Sequence, residues 1–161
     1  RKDGVDVIET DGSNCMNMPV EALELEAPVR VHRMSLRTDS GGVGEFRGGL
    51  GCVREIEFLA DDIALTHRGE RHRHAARGSQ GGGAGAKAFS KIVRRDGSEE
   101  VVNSKLFTVV HAGERLIVET AGGGGYGKPN KRNRQAIRDD VSNRKVSQQC
   151  ANAEYGLDDV N

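Results

Sequence analysis

Three histidines close together in the middle of the chain are the residues that most directly suggest chemistry. His67, His72 and His74 fall within eight residues, and imidazoles at such spacing are candidate ligands for a zinc ion. Arginines are interspersed with them, however, and their positive charge would repel a dication. We therefore favour a solvated or anion-binding loop and expect no metal ligands in this chain. The arginines are Arg68, Arg71, Arg73 and Arg77.

A glycine run later in the chain offers a second possible site, this time for phosphates. Residues 122–128 match the spacing of a phosphate-binding loop and also contain a dinucleotide-type glycine pattern. Pro129 stands where such a loop needs a hydroxyl for magnesium, and residues 130–161 are too polar to supply the next parallel strand. We expect no cofactor-binding residues here. The favoured interpretation is a strand that ends in a tight glycine turn before a helix.

A polar junction near the start of the chain is the candidate substrate-binding site. Asn14 and Asn17 precede a helix that begins at Pro19 and carries Glu21. Paired amides at a helix start can orient an amide-like substrate or an oxyanion, and capping of the helix is an equal alternative. Cys15 between them is a possible nucleophile, but a structural thiol is favoured because no base can be placed beside it. The catalytic residues stay unknown.

Composition limits the class of protein. The chain has 161 residues, of which 35% are hydrophobic and 4% aromatic, with 22 glycines and no Trp, which is a low apolar content for an independent globule. This content and the first residue, Arg1, suggest part of a larger protein. Basic and acidic residues balance at 24 each, so we expect neither a nucleic-acid nor a membrane partner. Three scattered cysteines without a CxxC favour the cytoplasm.

The elements that must position these residues are mostly strands, giving an α+β fold with glycine-rich turns. A short helix is expected near the start, and residues 68–85, which lack apolar periodicity, are expected to form a long mobile loop. Asp96 and Gly97 predict a hairpin turn. The predicted strands cover residues 29–38, 52–59, 63–67, 88–95, 99–102, 105–111 and 115–120.

Helical patterns replace strand patterns in the tail of the chain. Residues 134–146 are rich in helix formers, and Ser147 is placed to cap a second helix that ends near Gly156. We therefore expect a β-rich unit over residues 1–127 and a helical tail over residues 128–161. The apolar stripe expected on the second helix consists of Cys150, Ala153 and Leu157, and that on the first contains Ile137 and Val141.

Several segments, in order, resemble the hydantoinase B and oxoprolinase family. The resemblance covers nearly the whole chain and corresponds to the carboxy-terminal portion of the family's longer subunits. Lys128 and the basic segment 71–77 depart from the usual pattern. The matching segments are residues 14–24 (NCMNMPVEALE), 36–51 (LRTDSGGVGEFRGGLG), 53–58 (VREIEF), 104–105 (SK), 113–116 (GERL) and 119–127 (ETAGGGGYG).

The resemblance implies a subunit of an ATP-dependent hydrolase of cyclic amides, of the hydantoinase or 5-oxoprolinase type. It implies a hydantoinase-A-type partner that uses ATP with magnesium, and a divalent metal in an upstream part of the B-type subunit. We expect this portion to be inactive alone, with Asn14, Asn17 and Glu21 as its substrate-binding residues. The alternative is a non-catalytic assembly module of a related ATP-dependent ketone carboxylase.

Overall fold

The computed structural model describes residues 1–8 and 17–157. Within them, seven strands form two antiparallel sheets, and three α-helices flank the strands along the chain. The mostly β, α+β fold predicted from the sequence is confirmed. The elements are α1 (Val20–Glu26), β1 (Val29–Leu36), β2 (Cys52–Phe58), β3 (Ile63–Arg68), β4 (Phe89–Val93), β5 (Glu99–Val101), β6 (Lys105–Val110), β7 (Arg115–Glu119), a 3-10 turn (Pro129–Lys131), α2 (Arg134–Ser142) and α3 (Gln148–Tyr155).

The larger sheet has five strands in the order β1-β2-β7-β4-β5. The apolar residues of β1 switch from one face of the strand to the other along its length, which predicts a bulge. The register with β2 does shift, between Val31 and Arg33. The hairpin between β4 and β5 turns at Gly97, whose φ of 81° lies in the left-handed region. Both features were expected from the sequence.

The smaller sheet pairs β3 with β6 and shares a core with the larger one. The fully buried Ile92 of β4 and Val110 of β6 belong to one apolar cluster, and Ile63 and Leu65 of β3 pack against it. Side chains alternate in and out along β6, so every second residue of that strand faces this core. The two sheets therefore form two layers around one core.

Three glycine-rich segments pack backbone against backbone beside the sheets, and we call them the glycine layer (residues 40–51, 78–85 and 121–127). The third segment lies between the other two: the Gly123 N–H donates to Gly49 O at 2.8 Å, and the Gly125 N–H donates to Gly83 O at 2.9 Å. A Cβ on Gly124 would overlap the carbonyl of Arg77. Close backbone approach therefore explains the glycines.

The glycine layer corrects one expectation. Residues 122–125 are not a tight turn, since within the run only Gly127, with φ of 74°, has positive φ. The run is instead an inner segment that donates hydrogen bonds to its neighbours on both sides. The expected helix after it is a single 3-10 turn, and α2 begins at Arg134.

The tail folds as two short helices with a small core of their own. Ser147 caps α3 and Gly156 ends it at φ of 59°, in agreement with the sequence, and Asn133 caps α2. Ile137 and Leu157 are buried as expected. The expected position of Ala153 on the buried stripe is wrong, because that residue is exposed. Ala151 and Tyr155 fill the core instead, one turn apart on α3.

The segment 68–85 is anchored within the chain, which differs from the long mobile loop expected from the sequence. Its second half joins the glycine layer: Ser79 and Gly83 donate their N–H groups to Gly125 O and Val43 O, at 2.9 and 2.7 Å. Gly85 donates to Ala76 O at 2.9 Å. These bonds join polar backbone groups, so the apolar periodicity of the sequence could not indicate them.

Among the helices of the described residues, none has the length and apolar character that crossing a bilayer requires.

Candidate functional site

A cavity of about 710 Å³ opens between the amino-terminal segment and the glycine layer. Its lining comes from three segments, within residues 2–8, 46–52 and 120–126, together with Asn17. Many backbone N–H groups of these segments are already donated within the chain, including those of Gly48, Leu50 and Gly123, so side chains are the groups left to bind a ligand. The lining residues with polar side chains are Lys2, Asn17, Arg47, Cys52, Thr120 and Tyr126.

Asn17 is the predicted site residue that lines this cavity. Its Oδ1 accepts a hydrogen bond from a terminal guanidinium nitrogen of Arg54 on β2, at 2.6 Å. The capping alternative is not observed for it, because Pro19 occupies the N-cap of α1 and no side chain caps that helix end. With its carbonyl oxygen bonded to Arg54, the Asn17 amide is oriented by the sheet.

The other predicted site residues are placed differently. Glu21 is exposed in the first turn of α1 and is not part of the cavity lining. Asn14 and Cys15 lie outside the described residues. The structure therefore brings one of the three predicted substrate-binding residues, Asn17, to the cavity.

The wall formed by residues 2–8 is held in place by two carboxylates. Asp3 Oδ1 accepts from the Arg47 N–H at 2.8 Å, and Asp6 Oδ1 accepts from the Leu50 N–H at 2.9 Å. Burial alone would raise the pKa of Asp6, but hydrogen bonds from Lys145 and Leu50 and the charge of Arg47 outweigh it and lower that pKa. Both bonds therefore join an ionised carboxylate to the glycine layer at neutral pH.

Cys52 is a cavity residue that sequence reasoning did not single out. The residue is buried at the start of β2, and the Thr120 hydroxyl lies 3.6 Å from its sulfur. The lining residues include no histidine or carboxylate, the side chains that most often activate a thiol. The arrangement suits binding of a polar group better than covalent catalysis.

The histidine cluster separates into a packed pair, of which His67 is buried and His72 half-buried, and an exposed third member. The rings of His67 and His72 meet edge to face with centroids 5.7 Å apart, and His72 Nε2 lies 3.3 Å from Ser90 Oγ. Burial first, and then the neighbouring His72, lower the pKa of His67. His74 is exposed. In residues 1–8 and 17–157, no group of three or more His, Cys, Asp or Glu side chains is placed to hold a metal ion.

The glycine run does not fit a phosphate-binding loop. Such a loop cradles phosphate oxygens with free backbone N–H groups. Here the N–H groups are already donated to carbonyls of the same chain, at 2.8 to 3.1 Å. The pairs are Gly122 N to Ala86 O, Gly123 N to Gly49 O, Gly125 N to Gly83 O, Tyr126 N to Phe46 O and Gly127 N to Ser79 O.

Comparison with known proteins finds one family and several relatives. Residues 1–129 match the family model described as Hydantoinase B/oxoprolinase. The chain is 38% identical over 150 residues to the beta subunit of the caprolactamase of Pseudomonas jessenii, covering 88% of this chain and 25% of that protein. It is 32% identical over 158 residues to the protein named as the B-type subunit of a D-/L-hydantoinase in Pseudomonas sp. strain NS671, covering 97% and 26%.

Solved structures agree with the fold. The crystal structure of the ATP-dependent caprolactamase from Pseudomonas jessenii superposes with a TM-score of 0.73 at 32% identity, over 96% of this chain and 29% of that one. Nucleotide-free acetone carboxylase superposes with a TM-score of 0.83 at 20% identity, over 96% and 25%, which shows a shared fold. The chain spans about a quarter of the length of the curated relatives it matches.

Proposed function

Since the chain belongs to the hydantoinase B/oxoprolinase family, we propose that it is the carboxy-terminal portion of a B-type subunit of an ATP-dependent cyclic amide hydrolase. Its role there is to hold the ring substrate rather than to carry out the phosphoryl transfer. The relatives named as components of a caprolactamase and a hydantoinase support a cyclic amide as the substrate class. The cytoplasm is the proposed compartment.

The observation that carries this proposal is the cavity at Asn17. A ring amide has one N–H donor and one carbonyl acceptor, and the cavity offers it an asparagine amide. The Asn17 Oδ1 is bonded to Arg54, so the side-chain NH2 group of Asn17 is the part that can donate to a substrate carbonyl. Asn14 and Glu21 complete the proposed substrate-binding set.

The remaining parts of the reaction are assigned elsewhere. A hydantoinase-A-type partner would bind ATP with magnesium, and an upstream part of the B-type subunit would supply the divalent metal. The glycine run here, with its N–H groups committed to carbonyls, does not fit a nucleotide, and we derive no step through one. This chain contributes binding and orientation of the substrate.

Turnover of the intact two-subunit enzyme with a cyclic amide and ATP tests the proposal. Asn17→Ala should raise the KM for the ring substrate by about tenfold, the size expected for losing one hydrogen bond to the substrate carbonyl, and leave the KM for ATP unchanged. The matched control is Asn103→Ala, at an exposed asparagine outside the cavity. The chain alone should turn over neither hydantoin nor oxoproline with ATP.

An assembly module of a ketone carboxylase predicts a different result. In that case Asn17→Ala would leave the KM unchanged, and the damage would appear as reduced recovery of the A-type partner on co-purification. Turnover by the repurified chain alone, lost on Asn17→Ala, would contradict both functions.

A further inference from the structure

A second cavity, of about 570 Å³, lies away from the Asn17 site and is lined by cationic side chains. Two stretches of backbone form its walls: residues 71–77 and residues 84–87. The Asn17 cavity shares no lining residue with it. The basic side chains of the lining are those of Arg71, Arg73, His74 and Arg77 on the first stretch and Lys87 on the second.

The two stretches are fixed relative to each other by backbone hydrogen bonds. The Ala88 N–H donates to Arg71 O at 3.1 Å, and the Gly85 N–H donates to Ala76 O at 2.9 Å. Arg71 is held at φ of 65°, a conformation that non-glycine residues rarely adopt and that often marks functional segments. Behind them, the carbonyl of Arg77 packs against Gly124 of the glycine layer. The basic side chains therefore extend from a backbone that hydrogen bonds hold in place.

The charges of this cavity are not neutralised within the described residues. The cations at Arg71, Arg73, Arg77 and Lys87 form no ion pair with a described carboxylate. By contrast, Arg94 and Arg95 both do. Glu70, the residue before the first stretch, lines an adjoining cavity together with Arg71, Arg73 and His74.

We propose that this cavity binds the phosphoryl group of a small phosphorylated compound. Four like charges that converge on one cavity repel one another, and a dianion placed between them relieves that repulsion. Guanidinium groups bind carboxylate and phosphate oxygens alike through paired N–H donors, and the greater negative charge of phosphate favours it over a monoanionic carboxylate here. The chain as a whole has no excess charge, with 24 basic and 24 acidic residues, so the field is local and suits a small ligand. The site does not depend on ring hydrolysis.

Amide chemical-shift titration of the chain with inorganic phosphate, at ionic strength held constant with sodium chloride, tests this site. We expect shifts confined to residues 71–77 and 84–88 and a Kd of about 1 mM at low salt, a strength within reach of a five-atom ligand. Acetate should bind at least tenfold more weakly. Arg73→Gln and Lys87→Gln, one on each wall, should each weaken phosphate binding by about tenfold, as expected for loss of a charge-assisted hydrogen bond.

The matched control is Arg68→Gln, which removes the same charge from the end of β3, outside this cavity. Its Kd for phosphate should stay within twofold of the unmodified chain. Equal weakening by Arg68→Gln would indicate a diffuse field and overturn the site. ADP and phosphate should perturb the same amides; additional binding of adenosine, or binding of an RNA oligonucleotide without phosphate binding, would overturn a phosphoryl-group site.

Discussion

Arg132 forms a bidentate ion pair with Asp3, which lies 129 residues away in the chain. The two terminal guanidinium nitrogens donate to the two carboxylate oxygens of Asp3 at 2.6 and 2.7 Å. The same guanidinium reaches Asp140 Oδ2 at 2.6 Å, and its side chain is 2% exposed. Burial alone would lower the pKa of Arg132, but the two aspartates more than offset it and raise that pKa. The tail therefore fixes residues 2–8, the segment that forms one wall of the Asn17 cavity.

Replacing this guanidinium should be costly. Arg132→Gln removes the cation bound to both Asp3 and Asp140 and leaves Asp140 with Arg47 alone, whose Nε lies 3.4 Å from Oδ2. Removing one partner of a buried ion pair costs about 3–5 kcal/mol. Urea unfolding measures the loss. Arg138→Gln is the matched control, since Arg138 is exposed on α2 and its replacement should change the free energy of unfolding by under about 0.5 kcal/mol. Equal changes in the free energy of unfolding for the two substitutions would contradict a stabilising role of the ion pair between Arg132 and Asp3.

The glycine layer should tolerate no side chain at its centre. A Cβ on Gly124 would overlap the carbonyl of Arg77, so Gly124→Ala forces two backbone segments apart. We expect a loss well above the ~1 kcal/mol that follows from adding a Cβ at a positive φ alone. Gly113→Ala provides that comparison, because Gly113 has φ of 81° and open space around it.

Lys128→Ala separates the structural role of the run from nucleotide binding. Lys128 is exposed after the run, so its replacement should leave thermal unfolding unchanged. Loss of nucleotide binding in Lys128→Ala, together with a normal melting temperature for Gly124→Ala, would contradict the structural role.

The sequence predicted the strands better than the site, and the reason is physical. β-branched and alternating side chains record which face of a strand is buried, so β2, β4 and β7 were recognisable. Glycines record no such pattern, and the packing of residues 121–127 between two other segments depends on backbone contacts distant in sequence. The ion pair between Arg132 and Asp3 also joins residues distant in sequence, so no local sequence pattern predicts it.

The Asn17 cavity was only partly predictable for a related reason. The amide-rich stretch before α1 indicated a polar site, and Asn17 lies on it. Cys52 and Thr120 enter the lining because β2 and β7 are neighbours in the sheet. Strand order is a tertiary property that a single sequence does not encode locally.

Hydrogen exchange should divide the segment 68–85 into two parts. The amides of Ser79, Gly82, Gly83 and Gly85 donate backbone hydrogen bonds and should be protected. Within the described part of the chain, the amides of residues 70–78 donate none, so they should exchange fast. Measured residue by residue at neutral pH, uniform fast exchange across residues 70–85 would contradict the anchoring that the structure shows.

The buried His67, which packs against His72, should make stability depend on pH. The folded-state pKa of His67 lies below its ordinary value of 6.5 because the ring is buried and faces His72. The unfolded chain therefore binds the proton more tightly, and the stability that neutral His67 contributes is present above about pH 6.5 and is lost as the pH falls through the folded-state value. Carboxylates stay ionised over that range, so they do not mask the effect.

Thermal unfolding at about pH 7.5 and about pH 5.5, which bracket the unfolded-state titration of histidine, measures this dependence. The melting temperature of the unmodified chain should fall between the two pH values, and His67→Gln should remove part of that fall because glutamine does not titrate. His74→Gln, at the exposed histidine nearby, is the matched control and should retain the fall in full. A fall of the same size in His67→Gln would place the pH dependence elsewhere in the molecule.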